Sequence, residues 1–251
     1  MKFIILSIRY IIGYFNLKKH MTTKKNSFFR SFKDKKVLVL GSGPSLDNLT
    51  QDLINKYEYV VFLNASFRAS SKFNFENLTK ILFTADGYRL SLMESDLAKN
   101  RDIKIIFLGT HLQKFRTIKR VLKNNSFAHF LKPKYTISLF GKDEDEKDIS
   151  FGTTASLLTF KLSKLKDMDS IWKEGEFPVF PHTVALPAIY YLISSGCSQI
   201  DVLGCDFSSG RSKLVLHEGV TFKNDKIAIW VGKLHEVAKK EGIKLNFLNK
   251  K

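Results

Sequence analysis

Residues 36–46, KVLVLGSGPSL, read as a buried strand, a glycine turn and the start of a helix. The run Val37–Leu40 is apolar without alternation, as in a strand covered on both faces. Gly41 and Gly43 allow positive φ and close backbone approach, and Pro44-Ser45 opens a helix whose first N–H groups face outward. A turn of this kind, at the carboxyl end of the first strand, is where an open α/β sheet cradles a phosphate or nucleotide. Leu46 stands where the dinucleotide fingerprint has its third glycine, and no Gly-Lys-Ser/Thr follows, so neither that fingerprint nor a Walker loop is present. The alternative is a tight strand-to-helix turn without a ligand.

Working outward, short β-branched runs alternate with helical stretches. Residues 36–40, 59–63, 80–84, 103–108, 199–203 and 243–248 read as strands. Residues 46–56, 89–100, 112–124, 184–195 and 225–241 read as helices. This alternation predicts an α/β fold, a Rossmann-like parallel sheet with helices on both faces. Residues 132–181 break the rhythm with the acidic run 143–148, a Gly-Thr-Thr loop and a turn-rich EGEFPVFPH, and read as a lid or insertion. The acidic run lacks the spacing of a calcium loop and reads as a solvated loop.

Polar residues follow several strands. Asn64 ends the second, where an amide suits a ribose or base edge or serves as an ordinary turn residue. Asp86 follows the third, as a ligand for substrate hydroxyls or a helix cap. Residues 181–207 run from Pro181-His182-Thr183 through a helix and a strand into Gly204-Cys205-Asp206-Phe207, which sets Asp206 on the ligand-binding edge. His217 follows in the loop Leu216-His217-Glu218-Gly219.

The 251 residues, 44% hydrophobic and 26% charged, suit one domain with a small subdomain and exclude disorder, collagen-like repeats and coiled coil. Cys197 and Cys205 lie in apolar runs and read as reduced core thiols of an intracellular protein. The formal charge is +17, and residues 1–36 alone contribute +9. Residues 1–35 therefore read as a basic arm ahead of a catalytic domain at 36–251. Its apolar segment 3–17, with Arg9 inside, is shorter than the roughly 20 residues a spanning helix needs. It suits a helix lying in the membrane interface, helped by Lys18–Lys36 on anionic lipid. The expected location is the cytoplasmic face of the inner membrane, held peripherally through residues 1–36. A start at Met21 would instead make the apolar segment an artefact of translation assignment.

Gly41-Ser42-Gly43-Pro44-Ser45-Leu46, Asn64, and the Thr183 helix running into Gly204-Cys-Asp-Phe together resemble the bacterial lipooligosaccharide sialyltransferases, glycosyltransferase family 42. The resemblance spans residues 36–248. It implies a variant glycosyltransferase-A type Rossmann-like domain that binds a CMP-activated sugar acid, sialic acid or a Kdo-like acid, with no metal and no other cofactor. Gly41, Ser42, Gly43, Pro44 and Ser45 would line the phosphate and ribose. Asn64, Thr183, Gly204 and Asp206 would hold the nucleotide. His217 would be the general base, with His182 as its rival, and an imidazole suits that task near neutral pH. The family's tyrosines after the Asp-Phe turn are missing here. Ser208, Arg211 and Lys213 stand in that segment as candidates for the departing phosphate, and Asp86 as a contact for sugar or acceptor.

The expected activity is transfer of the sugar acid to a hydroxyl of a surface glycan or glycolipid acceptor, with no nucleic-acid partner. Two other classes compete. A small-molecule kinase or pyrophosphokinase would use Asp86 and Asp206 as a metal-binding pair. A non-enzymatic nucleic-acid binder would use residues 18–36, although no helix-turn-helix, zinc or RNA-binding signature accompanies them.

Overall fold

The structure is a computed structural model that describes residues 31–86, 90, 92–100, 102–111, 120–121, 128–133, 135–138, 159–162, 176–177, 183–207, 210, 212–215 and 226–248. Its elements, in chain order, are β1 (Lys36–Leu40), α1 (Gln51–Ile54), β2 (Tyr59–Leu63), β3 (Thr79–Asp86), α2 (Glu94–Lys99), β4 (Lys104–His111), β5 (Ala128–Pro133), β6 (Tyr135–Ser138), β7 (Thr159–Leu162), β8 (Glu176–Phe177), α3 (Ala185–Ser194), β9 (Gln199–Leu203), α4 (Lys226–Lys240) and β10 (Lys244–Phe247). Two 3-10 segments, Pro44–Asn48 and Asn64–Ser71, follow β1 and β2.

Eight strands form one sheet in the order β10-β9-β1-β2-β3-β4-β5-β8, and all its ladders are parallel. β1 is fully buried from Val37 to Leu40, and its side chains divide between two cores. Val37 and Val39 face a core shared with α3 and α4, whereas Leu38 and Leu40 face one built from Leu46, Leu49, Ile54, Phe67 and Leu97. Helices thus cover both faces, and the fold is the Rossmann-like α/β fold its alternation predicts. α3 is buried from Ala185 to Ile193 because it lies between the sheet and α4.

From β1 the chain steps to β2, β3, β4 and β5 on one flank, then returns so that β9 pairs with β1 on the other. The strand order therefore reverses between β1 and β9. In open α/β sheets, such a switch point opens a crevice at the carboxyl ends of the two strands.

Three local expectations change. The helix expected over residues 46–56 is split: Leu49 is extended (φ −62°, ψ 130°), and the Thr50 side chain accepts from Leu53 N–H at 3.2 Å to restart the chain as α1. β5 and β8 extend the sheet beyond the six strands that were expected, and β6 and β7 form a separate antiparallel pair within the expected insertion 132–181. The packed region also begins upstream of residue 36. Phe32 is fully buried, 5.2 Å from the Tyr59 ring and 5.9 Å from Tyr191, and Asp34 N–H donates to Gly196 O at 2.9 Å. Among the described residues no helix is long and apolar enough to cross a membrane.

Candidate functional site

The crevice between β1 and β9 is built from two glycine turns locked together. Gly41 N–H donates to Leu203 O and Gly43 N–H to Gly204 O, each at 2.7 Å. Ser45 N–H donates to Asp206 Oδ2 at 2.9 Å, and Ser45 Oγ accepts from Gly204 N–H at 2.8 Å. This contact requires glycine. A Cβ on Gly41 would come within 2.6 Å of Cys205 Sγ, and one on Gly43 within 2.8 Å of Gly204 O. Gly204 itself adopts φ +75°, open to glycine at no steric cost.

The N–H groups of Gly41, Gly43 and Ser45 are therefore engaged inside the protein. The sequence suggested that this turn would present its amides to a phosphate; these three join the two strand ends. The 3-10 piece at Pro44 has its opening amide covered by the Asp206 carboxylate, an anion supplied by the chain itself. Cys205, beneath this contact, is buried, and its thiol is pushed up to about 12, first by burial and then by the Asp206 charge.

Asn64 directly follows β2 in the left-handed region at φ 51°, a conformation that asparagine tolerates better than most residues. Its Oδ1 accepts from the Thr84 hydroxyl of β3 at 2.7 Å, and the –NH2 end has no partner among the described residues. Ser66 fixes the bend by accepting from Leu63 N–H at 2.8 Å and donating to Leu40 O at 2.5 Å. Phe207, directly after Asp206, is also left-handed at φ 50°, an unusual state for an aromatic residue.

α3 runs antiparallel to the strands and feeds β9, so its N-terminus lies at the same sheet edge as the glycine turn. Thr183 marks that end; its Oγ1 accepts from Ala185 N–H at 3.1 Å, a capping role. Asp86 ends β3, and past a register shift its Cα pairs with that of His111 in β4. Lys213 lies exposed on a turn beside the glycine turn. His182, Ser208, Arg211 and His217 lie outside the described residues.

The structure thus brings together Gly41–Ser45, Gly204 and Asp206, and places Asn64, Asp86 and Thr183 along the same edge. It adds residues the sequence did not single out. Ser212, 3% exposed, donates its N–H to Ser42 O at 3.0 Å and its hydroxyl to Asp47 Oδ1 at 2.5 Å. Neither residue carries a sequence signal, because a serine in a polar stretch and an aspartate in a helix start are commonplace. Among the described residues no group of three or more His, Cys, Asp or Glu could hold a metal ion.

Comparison with solved structures finds a similarity of overall structure. The structure of the sialyltransferase CstII from Campylobacter jejuni, in complex with the substrate analogue CMP-3FNeuAc, matches with a TM-score of 0.43 at 17% sequence identity, covering 86% of this chain and 81% of that one. No family model matches, and no curated protein matches by sequence.

Proposed function

We propose that the chain is a glycosyltransferase that takes a sugar acid, sialic acid or a Kdo-like acid, from a CMP-activated donor and passes it to a hydroxyl of a surface-glycan or glycolipid acceptor. The observation that carries this is the interlocked pair of glycine turns at the switch point, flanked on the same sheet edge by Asn64 and Asp206. Strand-tip amides and carboxylates of this kind suit the hydroxyls and base edge of a nucleotide. The sequence resemblance around Gly41–Leu46, Asn64 and Gly204–Phe207 supports the same donor.

In the proposed reaction His217 accepts the proton of the acceptor hydroxyl as that oxygen attacks the anomeric carbon. The bond from that carbon to the phosphate oxygen breaks, its electron pair stays on the phosphate, and CMP departs. A single displacement inverts the anomeric centre. Ser208, Arg211 and Lys213 would stabilise the departing phosphate by hydrogen bonds and charge, and no metal takes part. The basic arm, residues 1–36, would hold the enzyme at the cytoplasmic face of the inner membrane, where a lipid-linked acceptor meets a soluble donor.

The kinase reading would need Asp86 and Asp206 to share a metal ion, and one Asp206 oxygen is already engaged by Ser45 N–H at 2.9 Å. The test is incubation of CMP-sialic acid and CMP-Kdo with a lipooligosaccharide acceptor in EDTA. Incorporation of sugar acid with release of CMP is expected. In His217→Ala, turnover should fall roughly 10²–10⁴-fold with CMP affinity retained. Absence of turnover with either donor, or an absolute need for a divalent metal, would overturn the proposal.

A further inference from the structure

Three amides of the glycine turn are taken up within the protein. Those of Gly41 and Gly43 go to the carbonyls of Leu203 and Gly204, and that of Ser45 goes to the Asp206 carboxylate. A negative side chain at this point also opposes a second negative group. A phosphate in this crevice would therefore gain from positive charge elsewhere, and the segment that folds back over the turn carries Lys213.

Contacts from Gly210, Ser212 and Leu214 tie residues 210–215 to the glycine turn and to Asp47 just beyond it. Gly210 adopts φ +137°, and a Cβ there would come within 2.9 Å of the Pro44 ring. Ser212 donates its N–H to Ser42 O and its hydroxyl to Asp47 Oδ1, and Leu214 N–H is shared between Ser212 Oγ at 3.0 Å and Asp47 Oδ1 at 3.4 Å. Val215, 2% exposed, anchors the far end in the core beneath. Between the buried Ser212 and the half-buried Leu214 stands the exposed Lys213. A segment fixed on both sides of Lys213 presents that cation from a defined place, and an ammonium on a four-carbon stem serves as a point charge for phosphate.

We propose that Ser212 and Asp47 are positioning residues whose hydrogen bond sets Lys213 at the mouth of the glycine turn, where its ammonium holds the phosphate of the ligand. The inference rests on the donor reading above and extends it, by moving phosphate recognition from the turn's backbone to a pinned lysine. Ser212 and Asp47 act through Lys213 and touch no ligand themselves.

The test is a calorimetric titration of the full chain with CMP, cytidine and inorganic pyrophosphate, on the wild type and on Ser212→Ala, Ser212→Thr, Lys213→Ala and the Ser212→Ala/Lys213→Ala pair. Lys213→Ala should weaken CMP and pyrophosphate about 10-fold to 100-fold, as expected for a hydrogen bond to a charged group, and leave cytidine within about 2-fold. Ser212→Ala should weaken the same two ligands in the same direction, with Ser212→Thr restoring them because the hydroxyl donor returns. The pair should lose no more than Lys213→Ala alone, since the two act as one unit. Equal weakening of CMP and cytidine in Ser212→Ala, additive losses in the pair, or unchanged CMP and pyrophosphate affinity in Lys213→Ala would each overturn the inference. If the wild type binds no CMP, the donor reading fails separately. Pyrophosphate then decides the lysine site: loss in Lys213→Ala supports it, and no binding or no loss overturns it.

Discussion

Gly43 shows how closely single residues determine this crevice. Its missing side chain lets the turn after β1 lie against Gly204 O and the Asp206 carboxylate, and a methyl group would push the two strand ends apart. Gly43→Ala should cost about 1–3 kcal/mol of stability, the usual scale of overpacking, and disrupt the Ser45–Asp206 bond; a urea midpoint equal to wild type would contradict this. The two thiols make a second statement at this scale. Burial pushes both Cys197 and Cys205 up to about 12 from the ordinary 9.0, and raises the Tyr57 and Tyr191 hydroxyls as well. Below about pH 8 these groups are protonated in both folded and unfolded chains and add no pH dependence. Above it the unfolded chain releases its protons first, so stability should fall steadily toward pH 12. Urea midpoints taken at pH 8, 10 and 11 should decline in that order, and a flat series would contradict the burial. The positions of Gly41, Gly43, Asn64 and Asp206 at the carboxyl ends of the strands were legible, because glycine and polar residues directly after apolar runs mark strand tips. Their partners were not. That Asp206 spends an oxygen on Ser45 N–H depends on two segments 161 residues apart meeting at the switch point, which no local pattern encodes.

Among the elements, β9 carries an exception to its own apolar run. Asp201, 4% exposed, sits between Ile200 and Val202 and accepts from three donors: Tyr57 Oη, Gln199 Nε2 at 2.6 Å and Asn246 Nδ2 at 2.5 Å. A buried carboxylate is tolerated here because its hydrogen bonds replace water. The cluster ties β9 to β10 and to the loop ahead of β2. In Asp201→Asn the amide –NH2 would face hydroxyl and amide donors. A loss of about 1–3 kcal/mol is expected in urea unfolding, and an unchanged midpoint would contradict the network. The same elements show what sequence patterns capture. β1, β2 and β9 fall at the residues their apolar runs indicate, because strands covered on both faces take a polar side chain only where partners satisfy it, as at Asp201. β5, AHFLKP, has His, Lys and Pro within six residues, and β8 has only two residues, so neither presents a run to read. The break at Leu49–Thr50 was hidden by a continuous helical period across residues 46–56.

For the whole molecule, the arm and the domain meet earlier in the chain than charge alone suggests, since Phe32 belongs to the core. Deleting residues 1–30 should leave the fold intact, whereas deleting 1–35 also removes Phe32 and should cost about 3–5 kcal/mol in thermal unfolding. Equal stability of the two truncations would contradict that packing. The shorter deletion also isolates the arm's proposed role: the protein should leave the membrane fraction, and an unchanged distribution would remove the arm as an anchor. The central claim is that the crevice between β1 and β9 receives a cytidylate. It is tested most directly by calorimetric titration of the full chain with CMP, CDP, UDP, ATP and NAD. Preferential binding of CMP, lost in Asn64→Ala, is the predicted result, and indifference to CMP, or equal binding of all five, would contradict it.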